Sequence, residues 1–246
     1  PVFTPAANVS LNSLRPNQNY AQIYITESSA RGFYRGMVAS TTLRRQKYTI
    51  DAAYTLGYNK GYDEHENGGV SAPFYENAFD LNNEYSWTQI DQRHQFALSG
   101  IFFLPKGIEL STTSRYNTGR PFSPRTGVDS NRDGNANDRP LQNGYPIPRY
   151  TFRNKGLRDT SLRVQKAFTL PNERGVLKFS TEFFNLFNAP NVEIGAAQQV
   201  YGNSLDVPTA NANFGRVKDS ITGNYLTSGT LRTTPFQVQL GLRFEF

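Results

Sequence analysis

The chain contains no cysteine, which excludes a disulfide framework and a thiolate metal site. It has two histidines, His65 and His94. No His-Glu-x-x-His pattern, phosphate-cradling glycine loop or nucleophile elbow accompanies them. Asp91 and Ser99 flank His94 in sequence, but they are spread over about eight residues of a single extended element, too far apart to hydrogen-bond within it. A triad assembled from distant segments stays open; taken together, the residues point away from an enzyme.

Long apolar runs are also missing. Ile101-Phe-Phe-Leu104 is typical, mean hydropathy is −0.58, and no segment approaches the ~18 apolar residues of a membrane helix. A membrane barrel survives this test, because its strands alternate apolar and polar residues and so have low mean hydropathy. Clustered positive charge is lacking as well. The net charge is +6, yet Lys and Arg are scattered singly, and Arg44-Arg45 with nearby Lys47 is the tightest group. We read a solvated charged rim rather than a nucleic-acid surface, and expect no nucleic-acid partner. The amino terminus, Pro1-Val-Phe-Thr-Pro5, has no initiator Met, basic segment or apolar leader. We expect a mature chain or a piece of something longer.

What is present is aromatic and turn-rich: 18 Phe, 14 Tyr, 20 Gly and 14 Pro, a β-plus-loop composition. The clearest signal is Phe236-Gln-Val-Gln-Leu-Gly-Leu-Arg-Phe-Glu-Phe246. Apolar Phe236, Val238, Leu240, Leu242, Phe244 and Phe246 alternate with polar residues or glycine. Successive side chains of a strand point to opposite faces, so this segment is greasy on one side and wet on the other. Its length suits a membrane β-barrel strand of about 9–11 residues.

The same period recurs at Tyr48–Asn59, His94–Leu104, Ile108–Asn117, Ser161–Leu170 and Leu177–Phe183, with two less regular strands over roughly 20–27 and 33–45. We therefore expect an all-β fold, an antiparallel up-and-down transmembrane β-barrel segment of about eight strands, occupying residues 1–246 as a single domain. Tight connections (45–47, 105–107 and 171–175) alternate strictly with long ones (about 60–90, 119–156 and 189–232). All short turns then share one rim and all long loops the other, as in barrels with short periplasmic turns and long extracellular loops. The outward face carries Leu, Val, Ile, Phe and Tyr, with aromatics near strand ends (Tyr48, Tyr58, Phe168, Phe236, Phe244 and Phe246). The inward face carries Asp51, Glu109, Arg115, Arg163, Lys178, Glu182, Arg243 and Glu245, and Lys178 is placed to pair with Glu245. The alternative is a soluble sandwich with one solvated face; it leaves the one-sided long loops unexplained.

Several segments carry a family resemblance. They are Leu14-Arg15-Pro16 with Ile23-Tyr24 and Phe33-Tyr34; Asp91-Gln-Arg-His-Gln-Phe-Ala-Leu-Ser-Gly100; Asn117-Thr-Gly-Arg-Pro-Phe122; Phe183-Phe-Asn-Leu-Phe-Asn-Ala-Pro-Asn191; and terminal Arg243-Phe-Glu-Phe246. Together they resemble the C-terminal β-barrel of TonB-dependent outer-membrane receptors, particularly the Oar-like group. The resemblance implies the last third of a barrel of about 22 strands that encloses a plug. It also implies uptake of a scarce or large ligand, a place in the bacterial outer membrane, contact with outer-membrane lipid and recognition of Phe246 by the barrel-assembly machinery. TonB would act only through a plug domain absent from this chain. Two other readings stay open: a self-contained eight-stranded outer-membrane barrel with an adhesin or structural role, and an outer-membrane hydrolase.

Two loop features invite chemistry. Asp129, Asn131, Asp133, Asn135 and Asp138 offer oxygen ligands at alternating positions around Gly134, like the first half of an EF-hand loop, which makes Ca²⁺ the candidate cofactor. Pro140 stands where that loop would have its bidentate Glu, and a polar turn explains the same composition. Tyr75, Tyr85, Trp87, Tyr145 and Tyr201 are candidate ligand-stacking residues, alongside Tyr62, Phe79, Tyr150, Phe214 and Tyr225; packing of loop on loop explains them equally well.

Overall fold

The computed structural model describes residues 17, 19–20, 28–62, 75–76, 80–131, 138–171, 175–206, 211–218, 220–224, 226 and 230–246. Seven long strands run through them: β1 (Gly32–Arg45), β2 (Tyr48–Gly61), β3 (His94–Leu104), β4 (Ile108–Asn117), β5 (Leu157–Thr169), β6 (Val176–Phe184) and β7 (Gln237–Glu245). They form one antiparallel up-and-down sheet in chain order, and the two-residue strand Ser86–Trp87 adds to the far end of β2. No α-helix occurs among the described residues. The strand expected over 20–27 lies, apart from Tyr20, outside them.

Register shows why these strands belong together. Tyr48 lies opposite Phe102, Ala52 opposite Leu98 and Tyr54 opposite Phe96. Phe102 in turn faces Leu110, Val164 faces Leu110 and Thr181, and Leu240 and Leu242 face Thr181 and Phe179. The apolar phase of each strand therefore joins that of its neighbour, with no slip that would turn a row over. All the carboxylates of the seven strands (Asp51, Glu109, Asp159, Glu182 and Glu245) fall on the other face. There Asp51 accepts a 2.7 Å hydrogen bond from Thr42, Arg163 pairs with Glu182 at 3.3 Å, and Lys178 pairs with Glu245 at 2.7 Å, as its strand position predicts. Val38, Ile101, Phe103, Leu157, Val176 and Phe184 are apolar intrusions on this polar face.

The connections keep their predicted alternation. Gln46-Lys47 joins β1 to β2, one 3₁₀ turn (Pro105–Gly107) joins β3 to β4, and residues 170–175 join β5 to β6. Gly107 has φ +69°, and a Cβ there would meet the Ala167 carbonyl oxygen at 3.2 Å, so the turn needs glycine on both counts. The long connections are 62–93, 118–156 and 185–236.

Apolar burial is inverted relative to a water-soluble domain. Leu240 and Leu242 on the sheet are 66% and 71% exposed, whereas the buried apolar cluster of Phe122, Ile194 and Val217 sits among the long loops. A sheet with this much bare hydrocarbon is stable only against another apolar medium.

Adjacent residues of β3 separate the two faces. Leu98→Arg, near mid-height on the apolar face, is expected to cost about 2–4 kcal/mol in a bilayer. Ser99→Arg, beside Asp51 on the polar face, is expected to be close to neutral. Urea unfolding in lipid vesicles measures both; equal costs would contradict the assignment of faces.

Candidate functional site

The three long loops meet above one rim and build a crown around buried charge. Arg139 is held by Glu76 at 2.7 Å and by Glu84, and donates to the Asn83 carbonyl at 3.4 Å. Arg149 pairs with Glu84 at 3.1 Å and donates to the Glu84 and Tyr62 carbonyls. Glu84 is only 1% exposed, so it joins two loops through two guanidinium groups in a nearly dry interior. Ser86 Oγ completes the join by donating to the Arg149 carbonyl at 2.5 Å.

A second junction centres on Asp91, also 1% exposed. Its Oδ1 accepts the Asn59 backbone N–H at 2.8 Å, and its Oδ2 pairs with Arg153. Arg153 also donates to the Asp91 and Gly119 carbonyls at 3.2 Å each. Asp91 thus locks the end of β2, the start of β3 and the second loop together. His94 faces outward and is not part of this junction. Its Nδ1 lies 2.7 Å from the Tyr54 hydroxyl on the apolar face, where an interfacial residue belongs.

The Asn-rich exit of β6 is a third junction. Asn185 (φ 46°) and Asn188 (φ 47°) take up left-handed backbone, which Asn tolerates better than most residues. Asn185 accepts the Ala189 N–H at 2.9 Å and donates to the carbonyls of Ala189 at 3.1 Å and Thr234 at 3.0 Å. Asn191 accepts the Arg158 N–H at 2.8 Å, and donates at the same distance to the Arg158 carbonyl and the Thr233 hydroxyl. The motif read from sequence as a family signature is therefore a clasp joining β5, β6 and the approach to β7.

The predicted ligand-stacking residues are dispersed. Tyr201 packs edge-on against Phe214 at 4.9 Å, Tyr85 against Tyr62 at 5.0 Å, and Tyr75 lies 5.6 Å from the Arg149 guanidinium. Trp87 lies not at a loop tip but against the end of β2, with the Lys60 ammonium 4.4 Å and the Arg93 guanidinium 4.5 Å from its ring centroid. Tyr145 is 74% exposed. The structure does not gather these five into one pocket. Of the candidate Ca²⁺ ligands, Asp133 and Asn135 lie outside the described residues. Asp138 Oδ2 accepts the Ser130 N–H at 2.5 Å and the Asn131 N–H at 3.4 Å, while Asn131 Nδ2 donates to the Glu76 carbonyl at 3.1 Å. Asp138 thereby closes its loop through backbone groups. No group of three or more His, Asp or Glu suited to a metal occurs among the described residues.

Burial raises the Glu76 carboxyl above its ordinary value against the opposing pull of Arg139, with Asp138 adding to the rise. A raised carboxyl stabilises the folded state below its unfolded value, and that stability is lost as pH rises through the folded value. The stability of wild type relative to Glu76→Gln should therefore fall as pH climbs from about 4 through the raised value; protease nicking of the crown against pH reads this, and a constant difference would refute it. Asn191→Ala removes three hydrogen bonds from a buried side chain and should cost about 2–4 kcal/mol, measured by urea unfolding of the chain in detergent.

A family model for an outer membrane beta barrel domain matches residues 1–148, more than half of the chain. Neither the curated proteins nor the solved structures give a match.

Proposed function

Because the chain belongs to the outer membrane beta barrel domain family, we propose that it forms the C-terminal part of a larger TonB-dependent transport barrel that takes up a scarce or large ligand. Its place is the bacterial outer membrane, with short periplasmic turns and long extracellular loops.

Strand parity argues against closure of the seven strands on themselves, and apolar side chains on the lumen face carry the proposal of a larger, filled barrel. β1 and β7 both run from the long-loop rim to the turn rim, and each is paired on one side among the described residues. Joining them directly would make a parallel seam, whereas single-chain bacterial barrels have an even number of antiparallel strands. Lipid cannot satisfy a bare strand edge, so at least one further strand must intervene. Two other features favour a large barrel with a filled lumen. Ile101 and Phe103 present 40% and 50% exposed apolar side chains to the lumen side, a surface that an enclosed plug would cover. The motifs quoted above that resemble the receptor barrel run from the first strands to the last.

The competing reading is an eight-stranded barrel closed by the segment 20–27. The natural lack of cysteine allows a clean distinction. With Ile23→Cys combined in turn with Val238→Cys, Leu240→Cys or Leu242→Cys, the larger barrel predicts no disulfide. Thr181→Cys with Leu240→Cys, directly opposed across β6 and β7, serves as the positive control. A link from Ile23 to β7 would overturn the proposal. In cells, the full-length product is expected to cross-link to TonB, and failure to do so would count against the transport role.

A further inference from the structure

We propose that the outward face at the long-loop end of β1–β3 holds the phosphate of an outer-leaflet glycolipid between Lys60 and Arg93, with Arg35 at its edge. This rests on the membrane placement of the sheet and not on the transport reading.

The height of the cluster comes first. Tyr48 and Tyr58 share the apolar face of β2, ten residues apart, about 34 Å along an extended strand and about 26 Å in height at a tilt near 40°. That matches an apolar band about 25 Å tall, with a tyrosine at each boundary. Lys60 lies one step further out on the same face, level with Trp87 and with Phe33 of β1, and Arg35 lies opposite Tyr58. The cluster therefore sits at the headgroup level of the outer leaflet, where a bacterial outer membrane presents phosphorylated glycolipids.

The chemistry comes next. Arg93 stacks on Tyr58 at 4.7 Å and on Trp87 at 4.5 Å; Lys60 approaches Trp87 at 4.4 Å, and Arg35 lies over Phe33 at 4.9 Å. Lys60 and Arg93 share one indole, so their charges stand within about 9 Å of each other. Among the described residues no carboxylate lies within 4.0 Å of Arg35, Lys60 or Arg93. The nearby Arg153, by contrast, is neutralised by Asp91. Arg93 Nε is also buried without a hydrogen-bond partner, an orphaned charged donor. Cations brought together on aromatic faces at headgroup height, with no carboxylate paired to them among the described residues, suit a phosphate that accepts from both while acyl chains lie along the apolar rows below.

Trp87 is the only tryptophan of the chain, so its fluorescence reports on the site directly. The full chain in detergent micelles is titrated with bisphosphorylated lipid A, with the same lipid after removal of both phosphates, and with inorganic phosphate. The expected result is a saturable change in Trp87 emission with the phosphorylated lipid. It should be at least tenfold weaker with the dephosphorylated lipid and absent with millimolar inorganic phosphate. Lys60→Gln combined with Arg93→Gln should weaken binding at least tenfold while heat-modifiable mobility is retained. Arg35→Gln, on an exposed strand, gives a smaller loss and decides the matter if the double variant does not fold. Equal binding of the two lipids would overturn the proposal. Full competition by inorganic phosphate would reassign the cluster to a free anion and overturn the lipid source.

Discussion

Everything in this structure answers to a hydrogen-bonding constraint imposed by lipid. Hydrocarbon offers no partner for a backbone N–H or C=O, so each strand must be paired along its length with one face held to the oil. A slip of one residue between any two strands would preserve the ladder and reverse a whole row of side chains. Register therefore has to be fixed by the turns. The two-residue Gln46-Lys47 link and the Pro105–Gly107 turn leave no slack, and Gly107 is required both by its backbone conformation and by the carbonyl of Ala167 beside it. The short-turn rim works as a ruler from which the faces of all seven strands are set.

Committing the apolar surface of the sheet to lipid leaves the long loops without a sheet to pack on. They build their own interior instead. Part of it is apolar, with Phe122, Phe152 and Phe214 in mutual ring contact around Ile194 and Val217. The rest is ionic. A buried ion pair seldom adds much stability, since desolvation offsets most of the Coulombic gain, but a mispaired one is severely penalised. The Glu76–Arg139–Glu84–Arg149 chain thus acts chiefly by rejecting other loop arrangements. The Asn clasps at 185 and 191 do the same at the exit of β6 by occupying backbone groups that the sheet no longer serves.

Legibility in the sequence followed range. Strand positions, the alternation of turns and loops, the division of faces and even the Lys178–Glu245 pair follow from a period of two and from antiparallel order, both local properties. The crown did not show itself, because its partners are far apart in the chain: Glu76 and Arg139 are separated by 63 residues, Glu84 and Arg139 by 55. No periodicity marks such a pair. Asp91 stands out in sequence only as a neighbour of His94 and within a resemblance, and its work as a clasp depends on Asn59 and Arg153 arriving from other segments. Trp87 was grouped with the loop aromatics for want of a strand signal; pairing with Lys60 across the end of β2 carries it to the outward rim.

The sign of the charges adds something that alternation alone does not require. A period of two separates polar from apolar residues but is indifferent to plus and minus. Yet the strand carboxylates all lie on the lumen face, while the outward face keeps Arg35, Lys60 and Arg158 near the loop rim and Arg45 and Lys166 near the turn rim. Long Lys and Arg stems can lie along hydrocarbon and lift their charge to the headgroups; Asp and Glu are too short to do so. Reach explains why cations are tolerated at the strand ends. It does not explain why, at the loop end of β1–β3, Lys60 and Arg93 gather on one indole with no carboxylate paired to either among the described residues. Such mutual repulsion is sustained only where the surroundings supply the missing negative charge, and at that height the surroundings are lipid headgroups.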